Sequence, residues 1–90
     1  MIKSYKDLDV YNISYEMAMN IFRDSRKFPK EELYSLTSQV VRSSRSISAN
    51  IVEGWSKRNY ENKFKVHLID ALGSAGETQN WIQFAKDCGY

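Results

Sequence analysis

Hydrophobic positions recur along this chain with the three-to-four-residue spacing of α-helices, and two breaks divide the pattern into three segments. Pro29 marks the first break, because proline disfavours helix in the residue before it and suits the first turn of a new helix. The second break runs from Gly54 to Asn59. The pattern predicts one domain spanning residues 1–90, with helices at about 7–27, 30–54 and 60–87. Short connections make neighbouring helices antiparallel, so the expected fold is an all-α, up-and-down helical bundle.

The first predicted helix carries two hydrophobic stripes, roughly 130° apart at about 100° per residue. One stripe comprises Val10, Ile13, Met17 and Ile21, and the other comprises Tyr11, Tyr15, Ala18, Met19 and Phe22. A helix with two apolar stripes usually contacts more than one neighbour. Aromatic residues and methionine are enriched at protein interfaces, which predicts a subunit interface at Tyr11, Tyr15, Met19 and Phe22. The alternative is that this stripe contacts the third helix of the same chain.

The second and third predicted helices are patterned to pack closely against each other. The second carries a near-perfect heptad pattern at Leu33, Leu36, Val40, Ser43, Ile47 and Asn50. The third carries an inward stripe at Phe64, Leu68, Ala71, Ala75, Thr78, Ile82 and Ala85. Gly73 and Gly76 lie inside the third helix, and they predict a tight crossing against the serine-rich face of the second. A phosphate-binding loop is disfavoured at these glycines, because no strand precedes them and their spacing is wrong.

Length and cysteine content favour an assembly over a chain that is stable alone. Ninety residues bury a modest share of their surface, and disulfides, metals or oligomerisation usually supply the missing stability. Cys88 is the single cysteine, which rules out an internal disulfide and suits a reducing, cytoplasmic setting. His67 and Cys88 are too few for a metal site, and no cofactor is expected. Neither a secretory signal nor a membrane span is expected from the sequence.

Positive charge is concentrated in the middle of the chain. The whole chain has a net charge of +2. Residues 40–65 alone carry six basic side chains against Glu53 and Glu61, a net of +4. The candidate nucleic-acid contacts, to RNA or DNA, are Arg42, Arg45, Lys57, Arg58, Lys63 and Lys65. Trp55 and Tyr60 lie beside these charges and have the aromatic faces on which bases stack. The alternative is an ordinary solvated surface.

No catalytic residues are predicted, and the chain is not expected to be an enzyme. The single histidine, His67, lies between Phe64 and Leu68 on a helix, which is typical of a packing residue; Cys88 is interpreted likewise. The most distinctive polar group is Asn50, Glu53 and Gly54.

That group is interpreted as a structural polar cluster at a helix end. Glu53 is expected to pair with Arg42, Arg58 or a backbone amide, and Gly54 to provide a left-handed C-terminal cap. The alternative is a pocket for a small ligand or a phosphate.

Several runs along the chain match a known family. They begin with Ser4–Leu8 and Val10–Tyr11, continue through 28–39, and are clearest at Arg42 and 46–54; further runs are 71–77 and 89–90. On these residues the chain resembles the bacterial four-helix-bundle proteins encoded by intervening sequences of 23S rRNA. Ser48 and Val52 stand where family members usually have Pro and Ala. Family members also continue into a fourth helix, which is not present after Tyr90.

The resemblance implies an antiparallel four-helix bundle that assembles into a ring-like pentamer, without a catalytic activity. It also implies a second role, because one similar branch of proteins binds nucleic acid through a basic surface, as accessory to a retroelement reverse transcriptase. The expected function is therefore an oligomeric scaffold or interaction protein. The alternative is a basic, nucleic-acid-binding accessory module that partners a larger enzyme such as that reverse transcriptase.

Overall fold

A computed structural model describes all 90 residues, which form three long α-helices and no strand. The helices are α1 (Asp9–Ser25), α2 (Ser38–Ser56) and α3 (Glu61–Asp87). This architecture confirms the predicted all-α fold with three long helices. None of the helices has a stretch long and apolar enough to cross a membrane.

The central helix, α2, packs against both α1 and α3, whereas α1 and α3 barely touch each other. The contacts along α2 run in opposite order along α3: Ser43 meets Thr78 near one end, and Asn50 meets His67 nearer the other. These contacts give α2 and α3 the predicted antiparallel orientation. The molecule is accordingly elongated, with principal extents of 44, 23 and 18 Å.

The first helix begins two residues later than the sequence pattern predicts. A 3₁₀ turn at Tyr5–Asp7 precedes it, and Ser4 and Asp7 form a capping box on that turn. The Asp7 carboxylate accepts hydrogen bonds from the backbone N–H groups of Lys3 and Ser4, and these bonds lower its pKa. Leu8 then adopts an extended conformation, so α1 begins at Asp9.

The second helix differs more from its predicted start at residue 30. A 3₁₀ turn at Lys30–Glu32 leads into a π-helical turn at Leu33–Thr37, and regular α-helix begins only at Ser38. The wider π turn changes which side chains face inward. Leu36 is buried, but Leu33, the first residue of the predicted heptad, is half exposed. The heptad pattern therefore describes the core only from Leu36 onward.

The predicted left-handed cap at Gly54 is wrong. Helix α2 continues through Gly54 to Ser56, and Gly89 is the only residue with positive φ (80°). Gly89 provides such a left-handed cap at the end of α3. Its conformation allows the Tyr90 N–H group to donate to the Ala85 carbonyl oxygen at 2.9 Å. Helix α3 begins after Tyr60, which makes no side-chain capping hydrogen bond.

The hydrophobic core is small and lies along α2. Its centre is a cluster of Ile47, Ile51 and Ala71, which Leu8, Tyr11, Met17 and Ala75 cover. Much of the remaining interior is serine and threonine. Ser43 and Ser44 are buried, and each hydroxyl donates to a backbone carbonyl one turn earlier in its own helix. These serines allow close helix approach without leaving a buried polar atom unpaired.

Candidate interaction surfaces

Four polar side chains meet where the carboxyl-terminal half of α2 packs against the beginning of α3. His67 Nδ1 lies 3.2 Å from Asn50 Oδ1, and His67 Nε2 lies 3.0 Å from Lys57 Nζ. Glu53 Oε2 lies 3.6 Å from both His67 Nε2 and Lys57 Nζ. The His67 side chain is only 16% exposed, whereas that of Glu53 is 61% exposed. We call these four residues the seam cluster.

The structure brings the predicted residues Asn50 and Glu53 together, but with partners that the sequence did not indicate. Glu53 pairs with Lys57 and His67, so its expected pairing with Arg42, Arg58 or a backbone amide is wrong. The sequence predicts His67 only as a packing residue, whereas in the structure its ring joins α3 to α2 at this cluster. The register of α3 against α2 decides this contact, and no local sequence signal encodes that register.

Gly54 has a structural role different from the predicted cap. A Cβ atom at Gly54 would lie 3.3 Å from His67 Cβ and 3.7 Å from both the ring and the carbonyl oxygen of Phe64. Helices α2 and α3 are therefore in close contact at this glycine. At Gly73 and Gly76 a Cβ atom would meet nothing within 4 Å. The predicted tight crossing at Gly73 and Gly76 is therefore absent from this chain, and Gly54 supplies one instead.

A second polar contact between the same helices lies at the other end of their seam. The hydroxyl oxygens of Thr78 and Ser43 are 2.9 Å apart, and Thr78 is only 1% exposed. Thr78 Oγ1 also lies 2.8 Å from the Ser74 carbonyl oxygen. Since a threonine hydroxyl has a single hydrogen, Thr78 shares it between these two acceptors. The α2–α3 seam thus has specific polar contacts at both ends.

The six candidate nucleic-acid contacts do not form one patch. Arg42 and Arg45 lie in the first half of α2, roughly 20 Å from Lys57 at 1.5 Å per residue. The Arg45 guanidinium lies 5.4 Å from the centre of the Phe22 ring. The remaining four candidates surround the turn between α2 and α3 and are Lys57, Arg58, Lys63 and Lys65.

Most of the basic side chains near this turn have partners within the chain. Lys65 pairs with Glu61 at 3.0 Å, and Lys57 belongs to the seam cluster. The Arg58 guanidinium lies 4.3 Å from the centre of the Trp55 ring, and Lys63 Nζ lies 5.5 Å from that of Tyr60. Arg58 and Lys63 pair with no carboxylate, so the positive charges of these two side chains are not neutralised within the chain.

The predicted subunit-interface stripe on α1 lies against α2 and the amino-terminal turn. Tyr11 packs on the core, and its ring contacts those of Tyr5 at 4.8 Å and Tyr15 at 6.0 Å between centres. Phe22 lies under Arg45 of α2. The stripe thus contacts α2, and Tyr11 also packs on the core cluster that includes Ala71 of α3. Tyr15 remains half exposed, and Met19 is partly buried.

Several large apolar side chains are uncovered on α3 and on the other stripe of α1. Ile13 is 68% exposed and Leu72 is 74% exposed. Leu68 and Ile82, predicted to face inward, are 40% and 44% exposed. At one end of this surface a groove opens between Ile21 of α1 and Ile82 of α3, with Val40 at its floor. We define the open apolar face as Val10, Ile13, Leu68, Leu72 and Ile82.

The carboxyl-terminal residue closes the opposite edge of that groove. The Tyr90 hydroxyl donates to Glu32 Oε2 at 2.8 Å, and the Tyr90 ring lies 5.5 Å from that of Phe28. The hydrogen bond to Glu32 raises the pKa of Tyr90 to about 12. Hydrogen bonds from Ser35 and then Tyr90 lower the pKa of Glu32. Cys88 is exposed rather than packed, contrary to its predicted role.

No group of three His, Cys, Asp or Glu residues lies close enough together to hold a metal ion. Three antiparallel helices around a small core, with an open apolar face, define a helical-bundle protein. The family model for the 23S rRNA-intervening sequence protein matches residues 6–90, and the chain belongs to that family. Neither the curated proteins nor the solved structures gave a match.

Proposed function

We propose that this protein is a non-enzymatic, oligomeric scaffold whose copies cover one another's open apolar face. The observation that supports this most directly is the imbalance between buried and exposed hydrophobic residues. Seven hydrophobic residues are buried, three of them alanines, whereas fifteen large hydrophobic residues are exposed. A monomeric protein rarely exposes apolar side chains in contiguous groups, and such groups commonly mark interaction sites.

A second copy of this chain can cover the open apolar face without the need for any other protein. The open apolar face runs along α1 and α3 and would accept an apolar helix face of comparable length. Val66 and Phe84 are also exposed on α3, but toward another side of that helix. One copy thus has both the open apolar face and a second apolar surface on α3. If the second surface of each copy binds the open apolar face of the next, the copies associate head to tail and can close a ring. The family resemblance suggests five copies in that ring.

The test is the mass of the protein in solution, measured by light scattering coupled to size exclusion. We expect several times the 10.5 kDa of one chain, and five times for a pentamer. Replacing both Ile13 and Leu72 with Ser should shift the mass toward one chain. Tyr34→Ser is the matched control, since Tyr34 is exposed and lies outside the open apolar face. A folded wild-type monomer at micromolar concentration would refute the proposal.

The cytoplasm is the compartment that suits this protein best. Cys88 is a free, exposed thiol, and such thiols persist in reducing compartments. Fractionation of cells that express the chain would test this location, and recovery of Cys88 in an intermolecular disulfide would contradict it.

A nucleic-acid-binding accessory role is the second candidate, and the turn between α2 and α3 favours it. Arg58 and Lys63 are exposed cations without carboxylate partners, each beside an aromatic ring. Such a pair of cations and rings suits a phosphate backbone and its bases. The partner enzyme would be larger, such as a retroelement reverse transcriptase.

Binding of labelled RNA and DNA across a salt series tests this second role. A phosphate contact predicts a steep loss of affinity between low and moderate salt. Replacing both Arg58 and Lys63 with Gln should weaken binding and reduce the salt dependence by roughly one unit of slope per contact. Lys30→Gln, remote in sequence from the turn, is the control. Binding that is absent or independent of salt would reject this role.

A further inference from the structure

The hydrogen bonds around His67 determine which of its ring nitrogens carries the proton. Asn50 Nδ2 donates to the Ser46 carbonyl oxygen at 2.9 Å, so Asn50 presents its Oδ1 acceptor to His67 Nδ1. Lys57 Nζ can only donate, so His67 Nε2 must accept from it. Both contacts are satisfied by one species, the neutral imidazole with its hydrogen on Nδ1. A charged imidazolium would place two cations 3.0 Å apart.

A proton added to Nε2 would have a different acceptor within reach. Glu53 Oε2 already lies 3.6 Å from Nε2 and equally far from Lys57 Nζ. Protonation makes Lys57 repulsive to the ring and Glu53 attractive to it. The Lys57 side chain can move away from the ring into solvent, because it is 43% exposed at the carboxyl terminus of α2.

The other groups near the ring do not change this balance of partners. All hydrogen-bond and ionic partners of His67 come from α2 and its C-cap residue Lys57, and α1 supplies none. On α3 itself, Lys63 lies one turn before His67 and shares the surface depression beside the ring, while Asp70 lies one turn after it. Lys63 is a further cation that a protonated ring would oppose.

We propose that His67 is a proton-operated switch between α2 and α3, which holds Lys57 when neutral and exchanges Lys57 for Glu53 when protonated. The exchange makes and breaks hydrogen bonds only, and the added proton resides on Nε2. In the neutral state the charges of Glu53 and Lys57 cancel, and in the protonated state the cluster carries a net charge of +1. Lys57 then extends from the turn beside Arg58 and Lys63. The positive charge displayed at this turn is thereby coupled to pH.

Nuclear magnetic resonance can read this switch directly, because the chain has a single histidine. A long-range ¹H–¹⁵N spectrum of the neutral imidazole should show hydrogen on Nδ1 and none on Nε2. As the pH falls, the signals of the Lys57 ε-CH₂ group should move together with those of the imidazole. The Lys65 ε-CH₂ group is the matched control, since Lys65 pairs with Glu61 instead and should not follow.

The variant Lys57→Met separates the switch from simple packing. Lys57 is partly exposed, so we expect the variant to fold, with its melting temperature as the check. Without the donor to Nε2, the hydrogen should move partly from Nδ1 to Nε2, where Glu53 accepts it. Hydrogen on Nε2 in the wild type, Lys57 signals that do not follow the imidazole, or a ring unchanged by Lys57→Met would each overturn the proposal.

Discussion

The α2–α3 seam and the open apolar face use opposite means of association. The seam is narrow and polar: Gly54 lets the helices approach, Ser43 meets Thr78, and Asn50 meets His67. Its polar groups satisfy one another within the chain. The open apolar face has large aliphatic side chains such as Ile13 and Leu72, and nothing in the chain covers them.

The seam is complete within one chain, whereas the open apolar face is not covered by any part of it. Polar contacts between specific residues favour one register, because a shifted register would lose the hydrogen bonds that join Thr78 to Ser43 and His67 to Asn50. Aliphatic surfaces bind with less geometric demand and gain more from burial, at about 25 cal/mol per Å² of apolar area. In the proposed assembly, the chain uses polar contacts to set its internal alignment and aliphatic contacts to bind other copies.

The largest loss of stability is expected from the small core on which both regions depend. Ile51 is only 3% exposed and belongs to the central cluster, so Ile51→Ala should lower the free energy of unfolding by about 2–5 kcal/mol. Ile2→Ala is the matched control, since Ile2 is exposed outside the helices and should change stability by less than about 0.5 kcal/mol. Urea unfolding measures both. Equal losses in the two variants would contradict the assigned core.

A pair of identical substitutions compares the seam with an exposed helix surface. Gly73→Ala should stabilise the protein by up to about 1 kcal/mol, because alanine favours helix and the site is open. Gly54→Ala gains the same propensity but places a methyl group 3.3 Å from His67 Cβ. Overpacking should make Gly54→Ala less stable than Gly73→Ala by about 1–3 kcal/mol in urea unfolding. Equal stability of the two variants would show that α2 and α3 are not in close contact at Gly54.

The buried hydroxyl pair of the seam should contribute about 1–2 kcal/mol. Thr78→Val keeps the side-chain shape and removes the hydrogen bonds to Ser43 and Ser74, so thermal unfolding should shift down by several degrees. Thr37→Val is the control, because the Thr37 side chain makes no hydrogen bond in the structure and should shift it far less. If Thr78→Val left the melting temperature unchanged, this contact would determine neither the stability of the protein nor the register of α3 on α2.

The smallest effect is expected at the exposed contact between Tyr90 and Glu32. The pKa of Tyr90 is raised from 10.0 to about 12, so its contribution to stability is complete below about pH 10 and is lost as the pH rises through 12. Glu32, whose pKa is lowered, contributes above its ordinary pKa of 4.5 and loses that contribution as the pH falls through its folded value. Tyr90→Phe should remove the alkaline step from a plot of melting temperature against pH. Tyr60→Phe should leave that step in place.

The sequence was sufficient for those features that depend on local pattern. Periodicity and Pro29 located three helices, and their short connections made them antiparallel. The serine-rich face of α2 was rightly expected to allow close approach. The register of that approach was not predictable, because it follows from contacts between residues far apart in sequence. The glycine involved was therefore misassigned: Gly73 and Gly76 have the spacing of a crossing, but Gly54 faces α3.

The candidate sites show the same division between local and long-range information. Asn50 and Glu53 were identified from their shared helix face, whereas His67 could not be joined to them without the register. The π-helical turn at Leu33–Thr37 shifted the heptad, since helix propensity does not distinguish a π turn from a regular one. The run of basic residues between positions 40 and 65 also appeared continuous in sequence, although the length of α2 divides it into two groups.

The dependence of wild-type melting temperature on protein concentration tests most directly whether the open apolar face is covered by other copies. Association that buries this face stabilises the folded state by mass action, so the melting temperature should rise as concentration increases from about 1 to about 100 μM. The Ile13→Ser, Leu72→Ser double variant should lose most of that rise. A melting temperature that is the same at all concentrations, for a particle with the mass of one chain, would contradict the proposed assembly.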